Sequence, residues 1–326
     1  MPSANSKPLA SLSLDLDNEW SYLKTHGDPA WETYPSYLGL VVPRVLEFLA
    51  ARGQRITIFI VGRDAAAEGD RATLRSIADA GHEIGNHSFN HEPWLHAYSA
   101  DEIAAEIGMA HDAIASATGR APIGFRGPGF SVSQGTLETL ARLGYRYDAS
   151  TLPTYIGPLA RAYYFMTSRL SKEEREQRKA LFGGISDGLR PIRPYRWELG
   201  ASSLIEIPVT TFPILKTPFH FSYILYMATR LGRPAAMAYF RAAIGACRTL
   251  RVEPSLLLHP LDFLGREDVS SLAFFPAMGV SAGEKLALLG EALQYLSASF
   301  EVVPMRDHAT AIDRRGLRGA VAPRFS

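Results

Sequence analysis

Two aspartates near the start of the chain have a spacing that could serve chemistry. Asp15 and Asp17 end a run that reads as a strand, Ala10–Leu16. On an extended chain, residues two apart project from the same face, so both carboxylates can reach one site. One acid can then bind a metal ion while the other stays free as a base. The alternative is that one of them only caps the following turn.

A histidine pair, His87 and His91, follows the predicted strand His82–Asn86. On a helical turn, residues four apart point the same way and can hold one ion. A carboxylate would complete a two-histidine site that suits a catalytic zinc, which keeps an exchangeable ligand, or a non-haem iron. A solvated helix face is the alternative, and the position of His87 directly after a strand favours the site.

Three further polar residues come at the ends of predicted strands. Arg126 would keep Asp15 ionised and oriented through charge-assisted hydrogen bonds. The alternative for Arg126 is an ion pair at the rim, worth about 0–1 kcal/mol. His259 follows three leucines, and a partner acid would let it protonate a leaving amine. Asp148 is the candidate partner, and a hydrogen-bonded core histidine is the competing interpretation of His259.

Strands alternate with helical patterns, which predicts right-handed βαβ units and a largely parallel sheet. About seven such units favour a distorted parallel (β/α)7-type barrel, in which active sites form at the carboxyl ends of strands. Asp70 and two capping boxes, Ser99 with Glu102 and Ser281 with Glu284, predict helix starts. The predicted strands are Ala10–Leu16, Ile56–Val61, His82–Asn86, Ile123–Arg126, Arg146–Ser150, Leu204–Val209, Ser255–His259 and Glu301–Pro304.

Four motifs in order resemble the polysaccharide deacetylase family, the NodB-homology hydrolases. These motifs are Ser13-Leu14-Asp15-Leu16-Asp17, His87-Ser88-Phe89-Asn90-His91, Arg126-Gly127-Pro128-Gly129-Phe130 and Leu257-Leu258-His259. The resemblance implies a distorted parallel barrel and a divalent metal bound by Asp17, His87 and His91. It implies Asp15 as general base and His259 as general acid, with Arg126 positioning Asp15. Backbone N–H groups near Gly129 and Phe130 would help to stabilise the oxyanion.

The acids are separated by Leu16, whereas the family's first motif usually has them adjacent, so the division of roles between Asp15 and Asp17 is an inference. This Asp-x-Asp pattern is similar to divergent branches of the family, which include cyclic-imide and allantoin hydrolases. Another such branch is the deformylase that acts on formamido-arabinose linked to undecaprenyl phosphate, and this comparison is the closest. It suggests a lipid-linked saccharide whose phosphate meets Arg190, Arg193 and Arg196, and a peripheral membrane contact through Phe212–Tyr226 with Tyr163–Phe165. Arginines in water and an aromatic loop packed on the barrel are the alternatives.

Composition narrows the remaining classes of protein. Lys and Arg number 34 against 33 Asp and Glu, so the net charge of +1 offers no general attraction to nucleic acid. The single cysteine, Cys247, excludes a disulfide framework. Without a signal-like or membrane-spanning stretch, we expect a cytoplasmic protein. One barrel domain is expected over 10–310 with an insertion at about 152–200, between a flexible 1–9 and a basic tail at 311–326.

The favoured function is metal-dependent hydrolysis of an amide, removing an acetyl or formyl group from an amino sugar. Zinc is the expected metal, with cobalt, nickel or iron as alternatives. A ring amidohydrolase acting on cyclic imides would use the same site. A facial-triad iron oxygenase fits poorly, because those sites usually sit on a double-stranded β-helix. An inactive glycan-binding barrel is expected to lose the free acid or His259, and both are present.

Overall fold

A parallel sheet wrapped by helices forms the protein in the computed structural model, which describes residues 7–168, 170–178, 184–200, 202–317 and 320–325. Residues 1–6 of the predicted flexible terminus lie outside this set. The strands of the described residues are β1 Leu9–Leu16, β2 Thr57–Ile60, β3 Glu83–Asn86, β4 Gly124–Phe125, β5 Tyr147–Asp148, β6 Tyr195–Leu199, β7 Ser202–Glu206, β8 Ser255–Leu258, β9 Glu301–Val303 and β10 Ala320–Val321. The helices are α1 Glu19–His26, α2 Leu38–Ala50, α3 Gly62–Ala66, α4 Arg71–Asp79, α5 Ala100–Thr118, α6 Gln134–Arg142, α7 Gly157–Thr167, α8 Lys172–Gln177, α9 Phe221–Leu231, α10 Arg233–Thr249, α11 Ala282–Ser299 and α12 Met305–Arg315.

The strand order is β10-β6-β7-β5-β4-β3-β2-β1-β8, and β9 also pairs with β1. All of these pairings are parallel except β6 with β7. The chain after β7 continues beside β5 and then reaches β8, where the N–H of Thr210 donates to the carbonyl of Ser255 at 2.9 Å. The predicted barrel is therefore confirmed in a nearly closed form, joined at this point by single hydrogen bonds.

Local sequence signals explain several helix boundaries. Both predicted capping boxes form, at Ser99 for α5 and at Ser281 for α11, and the left-handed Gly119 ends α5. Asp70 holds the predicted position directly before α4, but its carboxylate accepts a hydrogen bond from the hydroxyl of Ser36 and makes no cap contact with the helix.

Three clusters of buried apolar side chains stabilise the barrel within the described residues. The larger core lies between the sheet and helices such as α2, α10 and α11. A second cluster lies where α5 and α6 pack on the sheet. The third fills the barrel interior, where Met305, Ala309 and Ile312 of α12 pack against Phe59 and Tyr147. The parallel strands leave the barrel interior open at their amino-terminal ends. Helix α12 covers this opening.

The carboxyl-terminal residues differ from the predicted basic tail. Residues up to Arg315 belong to α12, β10 pairs with β6, and the ring of Phe325 lies 5.7 Å from that of Trp197. Strand β6 itself lies within the segment expected to be irregular and was missed. Burial of Ile312 and Trp197 supplies the apolar packing that fixes this end of the chain.

The aromatic-rich segment Phe212–Tyr226 packs mainly on the barrel. Phe219, Phe221, Ile224 and Leu225 are buried in the larger core, and the exposed apolar side chains are those of Ile214 and Leu215. The side chains of Tyr163 and Tyr164, which complete the predicted membrane face, lie outside the described ones. None of the helices within the described residues combines the length and the apolar character needed to cross a membrane.

Candidate active site

One carboxylate and two imidazoles converge at the carboxyl ends of β1 and β3. Oδ1 of Asp17 lies 2.9 Å from Nε2 of His91 and 3.3 Å from Nε2 of His87. One potential ligand atom from each residue lies within 4.8 Å of the other two, and all three side chains are buried. The structure therefore brings together the three residues that the sequence predicted as metal ligands.

The histidine pair lies on a strained loop and not on the helical turn that was expected. Ser88 and His91 have φ of 60° and 50°, in the left-handed region that non-glycine residues rarely adopt. The buried carboxylate of Glu106 accepts the N–H groups of Phe89 and Asn90, at 3.0 and 2.9 Å. Backbone strain of this kind persists only where the surroundings fix it, and such residues cluster at functional sites.

The donor set fits a divalent metal. Nδ1 of His87 lies 2.6 Å from the carbonyl oxygen of Arg126, so this nitrogen carries the proton and leaves the lone pair of Nε2 facing Asp17. Oδ1 of Asp17 is buried and has no hydrogen-bond partner among the described residues. A buried carboxylate oxygen without a donor is costly, and a bound cation would satisfy it.

The charges of the cluster favour an ionised Asp17. Burial alone would raise the pKa of Asp17, but the neighbouring His91 and His87 outweigh it and hold this pKa well below its usual range. Burial lowers the pKa of His87, but Asp15 and Asp17 raise it by more, so the net shift of this pKa is upward. The two carboxylates therefore draw positive charge to this position, as a metal site requires.

A second buried pair holds the other aspartate. Nη1 of Arg126 donates to Oδ1 of Asp15 at 2.7 Å and to the hydroxyl of Ser13 at 2.8 Å, and its Nε donates to the carbonyl of Ala149. The Arg126 side chain is fully buried, which rules out the alternative of a rim ion pair. Oδ2 of Asp15 points the other way, 3.9 Å from Nε2 of His87. Arg126 thus fixes one oxygen of Asp15 and leaves the second beside the cluster.

His259 follows β8 at the level of Asp15, since the register pairs Leu14 of β1 with Leu258 of β8. Its Nδ1 lies 3.0 Å from the hydroxyl of Ser222, which in turn lies 2.8 Å from Oδ1 of Asp262. The backbone N–H of His259 donates to Oδ2 of Asp262 at 2.8 Å. The acid associated with His259 is therefore Asp262.

The prediction that Asp148 is this partner is wrong. Asp148 accepts a hydrogen bond from the hydroxyl of Ser150 at 2.5 Å and lies beside the buried Glu206. Tyr147 points into the barrel toward Glu83, so the next residue of the strand points to the other face. Ser150 also accepts the N–H of Gly127, so Asp148 supports the Gly127–Phe130 turn.

The Gly127–Phe130 turn uses the backbone N–H of Phe130, which was expected to stabilise the oxyanion. The N–H of Phe130 donates to the carbonyl of Gly127 at 3.0 Å and is committed within the turn. Gly129 has a φ of 57°, and a Cβ there would approach Pro93 to 2.9 Å, so glycine is required. The N–H of Phe130 is thus not available to an oxyanion in this conformation, and the role predicted for the backbone near Gly129 stays a prediction.

The three arginines expected to bind phosphate do not gather at the cluster. Arg190 pairs with Asp187 at 2.9 Å, and Arg196 pairs with Asp313 of α12 at 2.5 Å. Arg193 donates to the carbonyl of Leu250 at 2.5 Å and lines a cavity beside Pro8, which directly precedes β1. Arg193 is therefore at the opposite end of the strands from Asp15.

Comparison with known proteins shows a similarity to one family. The family model for polysaccharide deacetylase matches residues 28–147, which include the histidine motif and Arg126. The chain is 27% identical over 226 residues to a peptidoglycan deacetylase from Helicobacter pylori, covering 66% of this chain and 72% of that protein. Over residues 28–147 the chain is therefore similar to the polysaccharide deacetylase family.

Two further proteins are similar to the chain. A peptidoglycan-N-acetylmuramic acid deacetylase from Bacillus subtilis is 31% identical over 105 residues, covering 32% of this chain and 39% of that protein. A crystal structure assigned as a polysaccharide deacetylase from Mycobacterium smegmatis aligns with a TM-score of 0.67 at 21% identity, covering 100% of this chain and 97% of that one. The latter likeness shows the shared fold.

Proposed function

We propose that the protein is a metal-dependent amide hydrolase that removes the acetyl group from an N-acetylated amino sugar of a glycan. One observation carries this proposal: the Asp17, His87 and His91 cluster lies beside Oδ2 of Asp15, the carboxylate oxygen that Nη1 of Arg126 does not contact. A metal site next to a carboxylate that can accept a proton is what hydrolysis of an unactivated amide needs. The named activities of the peptidoglycan deacetylases that match the chain support the choice of a glycan amide.

Asp17, His87 and His91 would hold the metal, and zinc is the proposed ion because it favours nitrogen and carboxylate ligands with one position left open. When bound, such an ion polarises the amide carbonyl and lowers the pKa of its bound water. The hydrogen bond of His87 to the carbonyl of Arg126 orients the ring and makes it a better ligand. The left-handed backbone at His91 places the second ring against the same carboxylate.

Asp15 is the proposed general base. The hydrogen bond from Nη1 of Arg126 to Oδ1 fixes the plane of the carboxylate. Oδ2 then faces the cluster and is the atom that takes the proton from the attacking water. Because Arg126 is fully buried, this orientation is set before substrate binds.

His259 is the proposed general acid. The hydroxyl of Ser222 donates to the carboxylate of Asp262 and therefore accepts from Nδ1 of His259. This arrangement leaves Nε2 of His259 to carry the proton that goes to the departing nitrogen. An amine is a poor leaving group until it is protonated, so this step is essential for breaking the C–N bond.

The test is release of free amine from a panel of N-acetyl and N-formyl amino sugars, lipid-linked saccharides and cyclic imides. We expect turnover of an N-acetylated glycan by the unmodified protein. Asp15→Asn should lower the rate at least about 100-fold, because a general base contributes about 10²–10⁴-fold, while the variant still binds metal. Asp79→Asn, on the exposed surface of α4, is the matched control and should keep full activity.

Each other outcome contradicts a specific part of the proposal. Turnover restricted to cyclic imides would establish a ring amidohydrolase, and turnover restricted to formyl sugars would establish a deformylase. Glycan binding without turnover of any substrate would establish a binding barrel. Full activity of the Asp15→Asn variant would show that another group is the base.

A further inference from the structure

A cavity of about 420 Å³ opens at the amino-terminal ends of the strands. Pro8, Glu253 and Phe300, which precede β1, β8 and β9, line it. The proposed active site is at the carboxyl ends of the same parallel strands, so the cavity is separate from it. Its volume falls within the range of about 300–1,000 Å³ that is usual for small-molecule pockets.

The lining of this cavity carries an excess of positive charge. Four arginines surround it against a single acidic residue, Glu253; the arginines are Arg193, Arg248, Arg251 and Arg315. Glu253 is already occupied, because Arg315 donates to both of its oxygens, at 2.6 and 2.8 Å, and Nε2 of His308 lies 3.3 Å away. The acid therefore neutralises Arg315 and leaves the other guanidinium groups without a counter-ion.

Within the described residues, the guanidinium groups of two of these arginines make neither a hydrogen bond nor an ion pair. Arg193 donates to the carbonyl of Leu250, but neither Arg248 nor Arg251 makes a hydrogen bond or ion pair through its guanidinium group. Both lie at the end of α10, where the negative end of the helix dipole attracts cations. That attraction accounts for their presence near the helix end but leaves their donors unused.

The backbone at Arg251 adds a second argument. Arg251 has a φ of 54° at the position just after α10, where glycine is the favoured residue. A left-handed conformation is unfavourable for a residue that has a Cβ. The strained position turns the chain into Val252 and β8 while keeping a guanidinium group at the cavity, which a glycine would not provide.

The rest of the lining is apolar. Pro8, Pro194, Val252, Phe300 and Ile312 supply carbon surface beside the arginines. A ligand that fills the cavity should therefore combine an anionic group with an organic part. Planar guanidinium groups match phosphate oxygens in two-point hydrogen bonds, so phosphate is the anion best suited to adjacent arginines.

We propose that this cavity binds a phosphate ester, with Arg248 and Arg251 as the principal contacts of its phosphate. The phosphate can belong to a small soluble ester or to a phospholipid headgroup, and both present the same chemistry to the two guanidinium groups. Arg315, held by Glu253, and Arg193 then line the flanks of the cavity. The site is independent of the proposed hydrolytic reaction.

The test is calorimetric titration of the full chain with pyrophosphate and with adenosine monophosphate at physiological ionic strength. We expect saturable binding that is about 100-fold weaker in the Arg248→Gln/Arg251→Gln double variant, because removing each charge-assisted hydrogen bond weakens binding about tenfold. The matched control is Arg233→Gln/Arg241→Gln, which removes two exposed charges from the same helix where they pair with Glu291. This control should bind like the unmodified protein.

A single variant separates loss of binding from loss of folding. Arg251→Gly places the favoured residue at the left-handed position, so its melting temperature should equal or exceed that of the unmodified protein. Its affinity should nevertheless fall about tenfold. Absence of saturable binding by the unmodified protein to every probe would overturn the proposal, as would equal affinity of the double variant and its control.

Vesicles distinguish the two sources of the phosphate. Sedimentation with phosphatidylcholine vesicles that contain phosphatidylglycerol, abolished in Arg248→Gln/Arg251→Gln, would assign the site to a lipid headgroup. Binding of the soluble probes without vesicle sedimentation would assign it to a soluble ester. Vesicle sedimentation that both double variants retain equally, without binding of a soluble probe, would overturn the proposal.

Discussion

The two ends of the barrel differ in whether their charged side chains are buried and paired. At the carboxyl ends of the strands, Arg126 and Asp15 are buried and joined at 2.7 Å, and Asp17 lies against two histidines. At the amino-terminal ends, Arg248 and Arg251 are exposed and lack partners among the described residues. Buried charges must be matched within the protein, and matching fixes their positions before substrate arrives. Exposed and unmatched charges instead remain available to a mobile ligand.

The largest effect should come from the histidine cluster. Replacing both His87 and His91 with alanine should abolish metal retention and lower amide hydrolysis at least about a thousandfold, since a catalytic metal supplies several kcal/mol. Arg248→Gln/Arg251→Gln, at the opposite end, should keep its metal and its activity. Metal content by mass spectrometry and amine release check both. If the double histidine variant were active without metal, the carboxyl ends of the strands would not hold a catalytic metal site, and the functional distinction between the two ends would be lost.

The difference in burial should appear as a difference in stability. Arg126→Gln leaves a buried carboxylate without its partner and should lower the free energy of unfolding by about 3–5 kcal/mol. Arg315→Gln breaks an ion pair whose arginine side chain is 53% exposed and should cost about 1 kcal/mol or less. Urea denaturation of both variants measures the contrast. Equal reductions would show that burial does not distinguish the two pairs.

How far the sequence predicted the molecule depends on the range of the interactions involved. The first strands were predicted well, because each consists of a short apolar run bounded by a glycine or a capping residue. The histidine loop was predicted in composition but not in conformation, since its left-handed residues depend on Glu106 of α5, which lies far along the chain. Strand β6 was missed although Tyr195, Trp197 and Leu199 alternate with polar residues as in a half-buried strand, because the arginines and prolines around it led to an irregular assignment.

The sequence contains a signal for the acid partner of His259 that the prediction did not use. Asp262 lies three residues after His259 and accepts its backbone N–H, which is the spacing of a capping residue. Asp148 was chosen because it ends a strand, but strand alternation turns its side chain away from the barrel interior. Ser222 has no neighbouring motif, and only the packing of α9 against β8 reveals its role.

Asp262 should matter for the reaction more than Asp148 does. Asp262→Asn should lower kcat about tenfold, because a general acid contributes about 10²–10⁴-fold only when it is correctly held. Asp148→Asn is the matched control and should lower kcat less. The kcat for amine release by the two variants is the measurement. A loss of kcat in Asp148→Asn and not in Asp262→Asn would restore the partner predicted from the sequence.

The smallest expected effect concerns a buried acid pair beside the site. Burial, together with the charge and hydrogen bond of Asp148, raises the pKa of Glu206 well above its usual range. The folded protein therefore holds a proton there that the unfolded chain releases above about pH 4.3, so this contribution to stability is lost as the pH rises. Glu206→Gln keeps a neutral hydrogen-bond donor at this position. Between pH 5 and 8 the melting temperature of the variant should fall less steeply than that of the unmodified protein, by about a degree or more per pH unit. A parallel decline in both proteins would mean that Glu206 is ionised in the folded state.

Metal content measured beside amine release from an N-acetylated glycan tests the central claim most directly. The account predicts about one divalent ion per chain, held by the single cluster, with amine release that a chelator stops and zinc restores. Amine release that continues undiminished after the metal has been removed would contradict it.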